Sequence, residues 1–196
     1  MILPIRVYGD PCLKTKAFDA LEEDNLKELI DDMFETLDAT KTGVGLAATQ
    51  LGIPLRVFVL IHGDLRIAFI NPIILSYGGE MLKEEEGCLS IPNVGVSIKR
   101  YDSIRIQYSV LDENGELIHK LEEFDGFIAR IIQHEIDHLN GICITDKLNL
   151  LQKKMVQSKL NLIINNKLPN LHYPILHFRK KDYEIKSDEI YQKYIN

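Results

Sequence analysis

The chain has no apolar run long enough to cross a bilayer. Its longest, Val57–Ile61, has five residues, against the roughly 20 that a membrane-spanning helix needs. The opening, Met1-Ile2-Leu3-Pro4-Ile5-Arg6, has no basic stretch followed by an apolar one, so no secretory signal is read there. Cysteine is scarce. Cys12, Cys88 and Cys143 are odd in number and irregular in spacing, which argues against a disulfide framework and for a reducing compartment, the cytoplasm. There is no internal repeat and no low-complexity tract. What is there is ordinary for a soluble globular protein: 196 residues, 45% apolar and 27% charged, enough to close one hydrophobic core. The net charge of −6 is unevenly spread. Lys147–Asn196 carries ten Lys or Arg against four Asp or Glu, whereas the first 146 residues carry 13 against 25. So acidic a body argues against a nucleic-acid-binding core.

Leu26, Leu29, Ile30, Met33, Phe34 and Leu37 recur at helical spacing and predict an amphipathic helix over 25–38, with Asp24 as its N-cap. Strands are predicted over 55–61, over 65–75 with an interruption at Pro72, over 94–99 and over 103–111. Asp112-Glu113-Asn114-Gly115 is a hairpin turn signal, with 116–123 as the return strand. A second helix is predicted over 126–139, capped by Asp125 and stopped by Asn140-Gly141, and a third over about 147–165. Hairpins followed by helices, without a βαβ rhythm, predict an α+β fold. In it, antiparallel β-sheets pack around the buried helix 126–139, and a helix stands near the C-terminus.

The strongest chemical motif is His134-Glu135-Ile136-Asp137-His138. On a helix, residues four apart lie about 40° and about 6 Å apart, so both imidazoles can grip one metal. Glu135 stands at the edge of that face, within reach of an attacking water. A charged turn on a solvated helix is the plainer alternative, but the rest of the helix is apolar, and buried imidazoles need partners. A catalytic metal usually has a third protein ligand. Two metalloprotease arrangements lack theirs here. One would place a third histidine at Ile144, and the other needs a downstream glutamate, of which there is none between Ile136 and Tyr183. Cys88, in Glu86-Gly87-Cys88-Leu89-Ser90-Ile91-Pro92, is the best candidate. There Gly87 would let the backbone come close and Pro92 would stiffen the exit. Cys12 and Cys143 read as small buried hydrophobes. A third segment, Gly43-Val44-Gly45-Leu46-Ala47-Ala48-Thr49-Gln50, has no Lys-Ser/Thr ending and is no phosphate loop. It reads either as tight packing or as an extended edge for a peptide backbone, with Gln50 offering an amide.

Together, Gly43–Gln50, Glu86–Ser90 and His134–Leu139, in this order, resemble the peptide deformylase family's G-x-G-L-A-A-x-Q, E-G-C-L-S and H-E-x-D-H-L. The resemblance spans roughly residues 5–150, and Gly9-Asp10-Pro11 also resembles the family's opening. It implies a catalytic domain over 1–165, with 166–196 as an extension that is not an independent domain. It implies one divalent metal on Cys88, His134 and His138, natively ferrous iron, with zinc, nickel or cobalt as substitutes. Glu135 would take a proton from the attacking water and return it to the leaving amine, releasing formate from an N-formylmethionyl nascent peptide. The oxyanion would meet the metal, the Leu89 backbone N–H and the Gln50 amide. Gly45 and its neighbours would hold the substrate backbone, and Val44, Phe127 and Ile131 would line the methionine pocket. Such substrates emerge from the ribosome, so the basic C-terminal segment is a candidate for transient ribosome contact, with no membrane partner. Three features depart from the family pattern: Thr49, where proline is common and whose presence costs loop rigidity; Cys143-Ile144, in place of a Leu-Phe pair; and the tail after about residue 165.

Overall fold

The computed structural model describes residues 1–168, 171–177 and 192–195. In chain order, a short strand β1 (Ile5–Arg6) and helix α1 (Leu26–Ala39) precede four strands, β2 (Gly45–Ala47), β3 (Val57–His62), β4 (Leu65–Glu86) and β5 (Val96–Leu111), of which β4 is the longest. β6 (Leu117–Asp125) then runs straight into helix α2 (Gly126–Leu139), followed by α3 (Leu150–Ile164) and β7 (Ile175–Leu176). The main sheet is antiparallel, in the order β2-β3-β4-β5-β6, which leaves β2 on an edge. β1 and β7 form a separate parallel pair. The fold is α+β, as predicted.

β3 explains the longest apolar run. Val57 and Val59 pack with α1, whereas Phe58 and Leu60 pack with α2. A strand covered on both faces needs apolar side chains at every position. The cluster under α2 joins Phe58, Phe69, Ile104 and Ile106 to Ala129, Ile132 and Ile136. Each large side chain buried there contributes about 1.5–3 kcal/mol over exposure. A third cluster sets α3, through Val156, Leu160 and Ile163, against Ile91, Val94, Val96 and Ile98.

Several predicted boundaries move. β4 does not end at Pro72. The register shifts between Ile70 and Ile73 and the strand continues to Glu86, with further shifts near Ser76 and Gly79. A bulge absorbs the missing proline N–H. Beside it, Asn71 has φ +50° and is held by its amide, which accepts from Ala20 N at 2.8 Å and donates to Ala20 O at 2.9 Å. The two predicted strands over 94–99 and 103–111 form the single strand β5. Asp24 is not the α1 cap, because its carboxylate accepts from Leu21 N and Asn25 stands at the cap position. Helix α2 has its predicted limits, but Asp125 makes no side-chain cap bond. Gly141, at φ +72°, ends it against the Lys14 carbonyl, where a Cβ would collide. α3 starts later than predicted because Ile144–Lys147 make a 3₁₀ turn and Asn149 caps the helix, accepting from Gln152 N.

Candidate metal centre and active site

Helix α2 brings His134 and His138 one turn apart on one face, and the turn after β4 brings Cys88 to them. That turn is closed by Ile91 N donating to Cys88 O at 2.9 Å. Cys88 Sγ lies 3.3 Å from His138 Nε2, which lies 3.2 Å from His134 Nε2. All three ligand atoms fall within 4.8 Å of one another. Metal–ligand bonds of about 2.0–2.3 Å at tetrahedral angles would put such atoms about 3.3–3.6 Å apart. The residues therefore fit one divalent cation, and three protein ligands leave a fourth position open.

His134 is oriented from behind. Its Nδ1 lies 3.0 Å from Glu86 Oε2, so Nδ1 carries the proton and Nε2 is left as the donor atom. Glu86 is itself fixed. Arg100 donates to both its oxygens, at 2.7 and 2.9 Å, and Arg130 donates to Oε1 at 2.8 Å. Burial would raise the Glu86 carboxyl, but contacts with His134 and Arg100 outweigh it and hold it well below the usual carboxylate range. Arg100 also donates to Asp137 at 2.7 Å, joining the carboxylate at the end of β4 to the exposed side of α2. Burial lowers His138 well below its ordinary value, with the charge of His134 as the second cause. For His134 the same burial is outweighed by Cys88 and Glu86, and its value rises to about 10. Metal binding to donors that hold a proton releases that proton.

Glu135 points from α2 toward β2. Its Oε2 is buried with no hydrogen-bond partner among the described residues. Burial raises its carboxyl to about 7 against the opposing charges of His134 and Arg100. A group with that value can take up and release a proton near neutrality. Gly45 makes its position possible, because a Cβ there would collide with the Glu135 carboxylate and approach Ile131 Cγ2 to 2.9 Å. Gly43 is equally tight, against Leu37 and Leu89 side chains at 2.8 and 2.9 Å. Within Gly43–Gln50 the two glycines pack closely, and Gly45–Ala47 forms the edge strand β2 of the main sheet. Gly87 differs. A Cβ there would meet nothing within 4 Å, so the expected close backbone approach is not what the position requires.

A cleft of about 520 Å³ opens onto these groups. Val44, Gly45, Phe127 and Ile131 line it, together with Gln50 and Leu89. Every site residue named from the sequence thus lies in the cleft or its metal set. Gln50 is nearly fully buried. Its Oε1 accepts from Ala47 N at 2.9 Å, which turns its Nε2 toward Ser90 Oγ at 3.0 Å and Cys88 Sγ at 3.8 Å. Thr49 ties this segment to α2, its hydroxyl donating to the His138 carbonyl at 3.2 Å. Cys12 and Cys143 are buried in the apolar cluster beneath α3. Ile144, where a third protease histidine would stand, is buried in the same cluster.

Sequence reasoning missed Arg100, Arg130 and Tyr173. Arg100 had a signal: in Val96-Ser97-Ile98-Lys99-Arg100 it shares the inward phase of Val96 and Ile98, and a buried arginine there demands a partner. Tyr173 had none. Its hydroxyl reaches the Leu89 carbonyl across 84 residues of sequence.

The profile of the family described as Polypeptide deformylase matches residues 2–154. A protein from Christiangramia forsetii named peptide deformylase is 43% identical over 192 residues, covering 88% of this chain and 94% of its own length. The crystal structure of peptide deformylase from Thermotoga maritima is 43% identical, covers 76% of this chain and 99% of that one, and superposes with a TM-score of 0.69. That from Ehrlichia chaffeensis is 32% identical, covers 86% and 100%, and gives a TM-score of 0.75.

Proposed function

The chain belongs to the polypeptide deformylase family, and from that premise we propose which of its residues perform the reaction. It is a metal-dependent peptide deformylase, removing the N-formyl group from N-formylmethionine of newly made polypeptides and releasing formate. The observation that carries the residue assignment is the convergence of the Cys88, His134 and His138 ligand atoms within 4.8 Å, with the buried Glu135 carboxylate on the next helical position.

Cys88, His134 and His138 hold the cation, and Glu86 and Arg100 keep His134 in register. When bound, the cation supplies Lewis acidity at the formyl group. Ferrous iron is the proposed native ion, with zinc, nickel or cobalt able to replace it, because a thiolate and two imidazoles suit all four. Glu135 takes a proton from the attacking water and delivers it to the departing amine. The Leu89 N–H and the Gln50 amide face the developing oxyanion; in other enzymes one such donor is worth roughly 10²–10³ in rate. The substrate backbone pairs along the open edge of β2 at Gly45, as peptides add to exposed sheet edges elsewhere. Val44, Phe127 and Ile131 receive the methionine side chain.

Residues 166–196 are proposed as an extension of the catalytic unit. The cytoplasm, where nascent chains emerge, is the proposed site of action. Transient ribosome contact is assigned to the basic segment Lys147–Asn196, of which Lys153, Lys154 and Lys159 stand exposed on α3. Reversing those three charges should reduce co-sedimentation with ribosomes at low salt, and unchanged co-sedimentation would reject contact through α3.

The decisive assay is formate release from formyl-methionyl peptides by protein loaded anaerobically with ferrous iron, or with nickel. Absence of release in both forms would overturn the reading. Cleavage of internal peptide bonds would replace it with proteolysis.

A further inference from the structure

The family match ends at residue 154, yet part of the chain beyond it returns to the cleft. Leu171, His172 and Tyr173 line the same cavity as Cys88, Gln50 and Glu135. Two attachments hold this strap. β7 pairs with β1, and Ile5 N donates to Pro174 O at 3.0 Å. The Tyr173 hydroxyl then donates to the Leu89 carbonyl at 2.9 Å. The exit of β1 also supports the metal-ligand turn, since Tyr8 N donates to Ser90 O at 2.8 Å. Strap and turn are therefore fixed to one short strand and to each other.

The position of the strap defines what it can touch. The methionine pocket assigned above lies on the α2 side, at Phe127 and Ile131. With the formyl carbon at the ligand trio, the peptide beyond methionine must leave between the β2 edge and the turn Gly87–Leu89. The strap borders that turn. Leu171 is half-buried and His172 exposed, and both line the cleft.

We propose that Leu171–Tyr173 is the downstream wall of the substrate cleft, clamped by the Tyr173 hydroxyl on the Leu89 carbonyl, and that Leu171 and His172 contact the peptide residues following formylmethionine. The inference rests on the deformylase reading of the same cleft. It makes these residues determinants of specificity for the body of the peptide, with no part in the bond-breaking step.

The test compares two substrates with the full-length, metal-loaded enzyme: formyl-methionine amide, which ends before the strap, and the tripeptide formyl-Met-Ala-Ser. The double variant Leu171→Ala/His172→Ala should raise KM for the tripeptide about 5-fold and leave its kcat, and both constants for the amide, unchanged. Such a pattern marks lost binding shared by ground and transition states. Tyr173→Phe removes only a hydroxyl and should raise the tripeptide KM by about the same size, the usual effect of one hydrogen bond. A tripeptide KM within twofold of wild type in both variants would overturn the proposal. So would an equal loss on both substrates, which would make the strap a support of the chemistry or the fold. Failure of the underlying reading looks different: wild-type protein would release formate from neither substrate.

Discussion

Glu86→Gln tests whether the carboxylate behind His134 sets metal affinity. The substitution is nearly isosteric and removes one buried charge. In the wild type, four N–H donors converge on this carboxylate: two from Arg100, one from Arg130 and one from His134. An amide keeps one acceptor oxygen and turns an NH₂ toward a guanidinium. Removing one partner of a buried ion pair costs about 3–5 kcal/mol. The lower end applies here, because Arg100 keeps Asp137 at 2.7 Å and Arg130 keeps Glu84 at 2.8 Å. With a urea slope of about 2 kcal/mol per molar, a loss of about 3 kcal/mol moves the unfolding midpoint down by about 1.5 M. Outer partners of ligating histidines are worth about 10–100-fold in metal affinity, and chelator competition on the folded variant reads this directly. A folded variant that keeps its metal affinity within twofold of wild type would refute the reasoning, since His134 would then be held by the helix alone.

Glu135→Ala should keep its metal and lose turnover by about 10²–10⁴-fold; near-normal formate release would remove Glu135 from the chemistry. Cys88→Ser should lower metal content after dialysis against a weak chelator, and unchanged content would point to another third ligand. Gly45→Ala places a methyl group against Glu135 and Ile131. Its kcat/KM should fall by about 10-fold or more with folding retained, as is usual when catalytic geometry is displaced, and full activity would mean that Glu135 can move aside. Asp32 concerns stability. Burial would raise its carboxyl, but contacts with the Met1 amino group, Tyr194 and Lys193 outweigh burial and hold it below its ordinary value. Its contribution is therefore present above the unfolded carboxyl value of about 3.9 and is lost as pH falls through the lower folded value. Asp32→Asn should be less stable than wild type at neutral pH and converge with it in acid; a gap that persists in acid would show that charge is not the cause.

Much of this fold was legible because its signals are local. The limits of α2 follow from an apolar helical stretch and the Asn140-Gly141 stop, and the run Val57–Ile61 forms a strand because both its faces are covered. The errors arose where tertiary structure overrides a local cue. Pro72 normally ends a strand, but a bulge at a register shift accommodates it within β4. Asp24 is a good capping residue on composition, but its carboxylate is engaged by Leu21 N within the preceding turn. Among the site residues, those inside the three motifs could be read from spacing. Tyr173 could not, because nothing in the sequence around it signals that the chain returns to Leu89.

The helix motif alone does not make this site. At i and i+4 the two histidines share a face, but the carboxylate at i+1 points about 100° away from His134 around the axis. It becomes useful because β2 presents a glycine where any side chain would occupy the carboxylate's space. A second requirement is charge. Two carboxylates lie close to one another, and Arg100 offsets them while joining Glu86 at the end of β4 to Asp137 on α2. The Cys88 turn and the histidine helix are thus locked at a fixed separation by an arginine that touches neither the metal ligands nor the cleft. Replacing Arg100 would therefore loosen both halves of the ligand set together, whereas replacing Glu86 acts first on His134.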